Sequence, residues 1–106
     1  MVSSSAPPID LAHLARQTMG DNALEREVLG MFDEQLAMIA DRFEVADLGE
    51  RYRLAHTLKG SARGIGAFVL GDCAAVLERD PASSDAIRRL LARLGEVRAF
   101  IGDIER

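Results

Sequence analysis

The chain has 106 residues, 13 Lys plus Arg against 17 Asp plus Glu, a net charge of −4, and 48% hydrophobic residues. That is one small globular domain, too short for a dehydrogenase, a kinase catalytic domain or a TIM barrel; its acidity, one Tyr and lack of Trp speak against a nucleic-acid binder. The lone Cys73 can form neither an internal disulfide nor a zinc site. No apolar run approaches the ~18 residues of a membrane span, and Met1–Pro8 has neither the basic start nor the apolar stretch of a secretion leader, so a cytoplasmic location is expected.

Residues 1–8, small, polar and Pro-rich, read as a disordered tail, with one domain over 9–106. A short first helix is expected from Asp10 to about Met19, with Leu11, Leu14, Ala15 and Thr18 on one side and Gly20 as its stop. Asp21 or Asn22 caps a long second helix over about 22–45, and Glu25 lies at capping-box distance from Asn22. Its apolar stripe is Leu24, Val28, Met31, Phe32, Leu36, Ile39 and Phe43. Asp47, with Glu50 behind it, starts a third helix that runs from Leu48 to Gly64 or Gly66. A fourth, Phe68 to Arg79, is expected to bury Val69, Leu70, Cys73, Val76 and Leu77 before Asp80-Pro81 breaks it. Ser83, Ser84 or Asp85 begins the last, whose stripe is Ile87, Leu90, Leu91, Leu94, Val97, Ile101 and Ile104. Amphipathic helices on short links cannot bury their stripes singly. The expected fold is therefore all-α, an antiparallel up-down-up-down four-helix bundle with a short extra N-terminal helix.

The third helix carries the chemical information. On a wheel of about 100° per residue starting at Leu54, the residues Leu58, Ser61, Ala62 and Ile65 fall within about 80° of it and mark the buried side. His56 falls at about 200°, on the solvent side, among Tyr52, Lys59, Arg63 and Gly60. The window 51–66 holds Arg51, Arg53, Lys59 and Arg63 and no acid, a local +4 that leaves −8 for the rest of the chain. Arg51 turns toward the apolar side, and it and Arg53 suit solvated helix charges. A basic window around an exposed imidazole suits a doubly negative phosphoryl group, and nearby cations favour the neutral, nucleophilic ring. Gly60 lies one turn beyond His56, where a side chain would crowd the imidazole. Glycine inside a helix costs about 1 kcal/mol against alanine, so its presence there implies a close approach. Gly64 and Gly66 suit tight helix contact or helix termination, not a nucleotide loop, because no strand precedes them.

The run His56-Thr57-Leu58-Lys59-Gly60-Ser61-Ala62-Arg63-Gly64-Ile65-Gly66 closely resembles the signature of histidine-containing phosphotransfer (HPt) domains: His, any residue, Leu, Lys, Gly, small residues, and a second Gly ten residues after the His. The long preceding helix and the segment from Phe68 to Leu77-Glu78 resemble the family too. The resemblance implies a phosphorelay intermediate, a phosphoryl carrier without ATP-dependent kinase activity. In it His56 would take a phosphoryl group from the aspartate of one receiver domain and pass it to another. Lys59 matches the family's lysine that holds phosphoryl oxygens, Gly60 the glycine that makes room for the receiver, and Gly66 the later glycine. Arg63 has no fixed counterpart and rests on the wheel and its charge. No polar residue of the fourth helix stands out as orienting the imidazole, so backbone or water is expected to do so. Implied partners are response-regulator receiver domains and, further, a hybrid histidine kinase. No cofactor or metal of its own is expected, and Mg²⁺ would sit on the receiver.

Two other readings compete. A helical module could dock a receiver or kinase without being phosphorylated, and a structural bundle could dimerise through its last helix, although a monomer is expected. His13 reads as an ordinary surface or helix-end residue, Cys73 as a small buried hydrophobe, and Asp33-Glu34 as a solvated helix face. Twelve Arg against one Lys fit the coding bias of a GC-rich bacterial genome.

Overall fold

Short polar side chains set the start of four of the five helices. In the computed structural model, which describes residues 7–105, these are α1 (Leu11–Gln17), α2 (Asn22–Phe43), α3 (Leu48–Ile65), α4 (Phe68–Arg79) and α5 (Ser84–Ile104), with no strand among the described residues. Asp10, Asp21, Asp47 and Ser83 accept hydrogen bonds from the backbone N–H of His13, Leu24, Glu50 and Ala86, at 3.0, 3.1, 2.8 and 3.1 Å. Each supplies a partner to an N–H that the first helical turn leaves open. With Asp21 as the cap of α2, Leu24 takes the third helical position, so Glu25 stands one residue too far on to complete a capping box. α1 ends at Gln17, two residues before the expected Met19, and the turn behind it runs through positive φ at Met19 (54°) and Gly20 (74°). The expected tail over residues 1–8 lies outside the described residues except for Pro7 and Pro8.

Cross-helix pairs give the topology. Arg42 grips Glu50 with two bonds of 2.6 and 2.7 Å, and Gln35 Nε2 donates to Ser61 Oγ (3.2 Å), so α2 and α3 run antiparallel. His56 and Lys59 meet Glu78 while Arg63 meets Asp72, so α3 and α4 are antiparallel as well. Val76 lies by Ala86, and Val69 and Leu70 by Glu96 and Val97, which reverses α5 against α4. Arg98 then returns α5 to α2 through Asp33 at 2.8 Å. This is the up-down-up-down bundle expected of short links. α1 lies across the end of α3: Asp10 N donates to Gly66 O (2.9 Å), and His13 Nε2 donates to Gly64 O (3.0 Å) while its ring meets Phe68 edge-on.

The core runs through Leu14, Phe32, Leu36, Ile39, Phe43, Leu58, Leu70, Leu77, Leu90, Leu94 and Ile101, all buried. Several expected members lie elsewhere. Met31, Val69, Val76, Leu11 and Ile104 are exposed, and Leu29, absent from the expected stripe, is buried. Leu24, Val28, Cys73, Ile87 and Leu91 are half-buried. On α4 the buried side is Leu70, Gly71, Ala74 and Leu77. A Cβ on Gly71 would come within 2.9 Å of Arg63 Cγ and 3.6 Å of the Lys59 carbonyl, so small residues face α3 and the valines are turned outward. That close approach also moves the buried arc of α3 to Ala55, Leu58, Ala62 and Ile65, leaving Leu54 and Ser61 half-buried.

Candidate functional site

α3 presents His56 as the wheel requires. Its side chain is 62% exposed, and it sits on the flank of α3 that faces α4. The imidazole Nδ1 lies 2.7 Å from Glu78 Oε2, and Lys59 Nζ lies 2.6 Å from the other oxygen of the same carboxylate. Lys59 is 27% exposed and Glu78 13%, so the carboxylate is the base of the site and the histidine its rim. Tyr52, one turn before His56, lies nearly parallel to its ring, with centroids 6.1 Å apart and 15° between planes.

Glu78 is the residue that sequence reasoning missed. The imidazole is oriented from α4 by a carboxylate, not by backbone or water. The link between α3 and α4 is only Gly66-Ala67, with Gly66 in the left-handed region (φ 97°) as the cap. A hairpin folded about Ala67 brings together residues equally far from it on either side, and His56 and Glu78 each lie eleven positions away. That symmetry was the available signal.

The electrostatics follow from the contacts. The Lys59 ammonium, and after it the His56 ring, hold the Glu78 carboxyl below the ordinary carboxylate range. An ionised carboxylate only accepts, so Nδ1–H donates, and the neutral ring carries its lone pair on Nε2, across the ring from Glu78. Burial pushes the half-buried Cys73 thiol up, away from the reactive thiolate.

The other expected site residues divide. Gly60 is exposed one turn past His56, and a Cβ added there would meet nothing within 4 Å. The expected crowding of the imidazole therefore does not arise from the first side-chain atom; the space is open. Arg63 lies over Gly71 and pairs loosely with Asp72 (3.5 Å), so it clasps α3 to α4 away from the imidazole. Gly66 terminates α3 and receives α1: a Cβ there would stand 2.9 Å from Asp10 O. Farther along α3 from His56, a groove of about 500 Å³ between α1, α2 and α3 is lined by apolar residues including Leu24, Val28, Met31 and Phe32, and by Gly64. No three His, Cys, Asp or Glu gather as a metal cluster among the described residues, and no helix there is long and apolar enough to cross a membrane.

Comparison with known proteins follows the same line. A model of the Hpt domain family matches residues 22–100, from the start of α2 into the last turns of α5. Sensor histidine kinase AruS of Pseudomonas aeruginosa is 38% identical over 73 residues, which is 67% of this chain and 7% of that kinase. The chain thus spans a small fraction of the length of the curated relative it matches. No solved structure matches. With the match covering the helix that presents the histidine, the helix that supplies its carboxylate and the two that complete the bundle, the chain belongs to the Hpt domain family, the histidine phosphotransfer domains of two-component phosphorelays.

Proposed function

We propose that His56 is the phosphoryl-bearing residue of a cytoplasmic relay: its Nε2 accepts a phosphoryl group from the phospho-aspartate of one receiver domain and yields it to the aspartate of another. The observation that carries this is the Nδ1–Glu78 bond of 2.7 Å on a histidine that is otherwise largely exposed. With the proton held on Nδ1, the Nε2 lone pair attacks phosphorus directly and no base has to remove a proton first. The P–N bond forms as the acyl P–O bond breaks, and the donor carboxylate leaves with the electron pair. The ring, now substituted on both nitrogens, is cationic, and the Glu78 carboxylate neutralises it in place. Lys59, on the other oxygen of Glu78, is within reach of the same region as a counter-charge for phosphoryl oxygens. Transfer of this kind asks mainly for in-line positioning and charge neutralisation, and the Mg²⁺ it uses belongs to the receiver.

Gly60 keeps the approach to Nε2 clear for the incoming domain. The receiver docks across α2 and α3, where exposed Met31 shares a groove with Gly64 and exposed Met38 one with Thr57, on the side of His56 away from α4. The test is incubation of the wild type and His56→Gln with phosphorylated receiver domains. Acid-labile phosphate should appear on the wild type alone, attached at Nε2 by ³¹P NMR. Equal labelling of both proteins, or attachment at Nδ1, refutes the assignment.

A further inference from the structure

A hydrogen bond at one nitrogen does not fix an imidazole. The ring can still rock about its Cα–Cβ and Cβ–Cγ bonds within the tolerance of that hydrogen bond, and Nε2 moves with it. The spacing of the third helix supplies a second constraint. Side chains on an α-helix lean toward its N-terminus, so a residue covers the turn before its own Cα and meets the side chain four positions earlier. For His56 that position is Tyr52. The two rings lie 15° from parallel with centroids 6.1 Å apart, within the range of offset-stacked aromatic pairs. Tyr52 is 45% exposed and outside the core, so packing of the bundle does not account for an aromatic residue there. Four positions on the other side stands Gly60, with no side chain and open space where a Cβ would be.

We propose that Tyr52 is a positioning residue for phosphotransfer: its ring is a wall on one face of the His56 imidazole which, together with Glu78, fixes the direction of Nε2 and leaves the Gly60 side as the approach. This rests on His56 being the phosphoryl site. The wall is made by the face of the ring and makes no use of the phenolic oxygen, so phenylalanine replaces it and alanine does not. A ring fixed by a bond at its edge and a surface on its face holds the nucleophile near the in-line geometry before the partner arrives. It therefore raises the rate within the docked complex, not the strength of docking.

The experiment compares wild type, Tyr52→Phe and Tyr52→Ala, with melting curves to establish that each is folded. Two readouts are taken: the rate of phosphoryl uptake across a concentration series of phosphorylated receiver domain, and the ring ¹H and ¹⁵N resonances of His56. Tyr52→Ala should lower the saturating rate roughly two- to tenfold, the range set by an aromatic pair, with the half-saturating concentration unchanged. Its His56 ring protons should lose the ring-current shift. Tyr52→Phe should keep both the rate and the shift. The inference is overturned if Tyr52→Ala transfers at the wild-type rate, if only the half-saturating concentration moves, or if the His56 resonances stay where they were. Should the wild type itself take up no acid-labile phosphate, the functional reading fails, while the resonances still decide whether Tyr52 holds the ring.

Discussion

Gly60→Ala should make the protein more stable and a worse phosphoryl acceptor. Gly60 lies in the interior of α3, exposed, and the added methyl group meets nothing within 4 Å. The change then acts through backbone freedom alone, and alanine is favoured over glycine in a helix interior by about 0.8–1 kcal/mol. Unfolding entropy of about 2.1 cal/mol/K per residue gives roughly 0.22 kcal/mol/K for a chain of this size, so the melting temperature should rise by about 4 °C. Gly95→Ala on α5, also in open space, is the matched control and should rise by a similar amount with transfer intact. Transfer should fall with Gly60→Ala and fall further with Gly60→Arg. The longer side chain displaces the incoming domain by ångströms, and a misplacement of about 1 Å costs on the order of a hundredfold. The assay is differential scanning calorimetry beside stopped-time transfer from a phosphorylated receiver. Wild-type kinetics in a folded Gly60→Arg protein would refute the clearance argument; a lower melting point for Gly60→Ala would refute the open space.

Glu78→Gln keeps the size of the side chain but lets an amide N–H face Nδ1. The proton should shift toward Nε2 in ¹⁵N-correlated spectra of His56, and transfer should slow by on the order of tenfold or more. Gly66→Ala puts a side chain in the left-handed region and against the Asp10 carbonyl, so the domain should lose at least about 1–2 kcal/mol, or roughly 5–10 °C of melting temperature, while His56 still takes phosphate. The two-point bond from Arg42 holds the Glu50 carboxyl below its ordinary range. That contribution is present above the unfolded carboxylate pKa and is lost as pH falls through the lowered one. Melting curves from about pH 6 to about pH 3 should therefore fall less steeply in Glu50→Gln than in the wild type.

The elements were largely legible because their signals are local. Asp47 and Ser83 start α3 and α5 by capping chemistry that depends on three neighbouring residues, and α4 runs over the Phe68–Arg79 segment set by its flanking glycine and proline. The exposure of His56 followed from the wheel, since the face opposite a buried stripe is wet. What failed depends on which neighbour each face meets. Hydropathy favours Val69 and Val76 over Gly71 and Ala74 as core, but α3 comes close enough that only the small pair fits between the helices. Met31 follows the helical period and still faces an open groove, because α1 and α2 leave a gap there, while Leu29 fills the heptad with Phe32, Leu36, Ile39 and Phe43. Glu78 looks like any charge at a helix end until the register of α4 on α3 is known. His56 and Lys59 were visible as an exposed pair one turn apart, and Glu78, which gives the imidazole its tautomer, was not.

The short link at Gly66-Ala67 has a consequence for how such a domain can diversify. His56, Lys59, Tyr52 and Glu78 all lie on the two helices it joins, and the bond that orients the imidazole spans 22 residues. Closing so small a loop costs little entropy, and contacts this near in sequence form readily. The cluster around His56 is thus a self-contained hairpin cassette. Substitutions on the outer faces of α2 and α5 can accumulate without disturbing the pairing of His56 with Glu78.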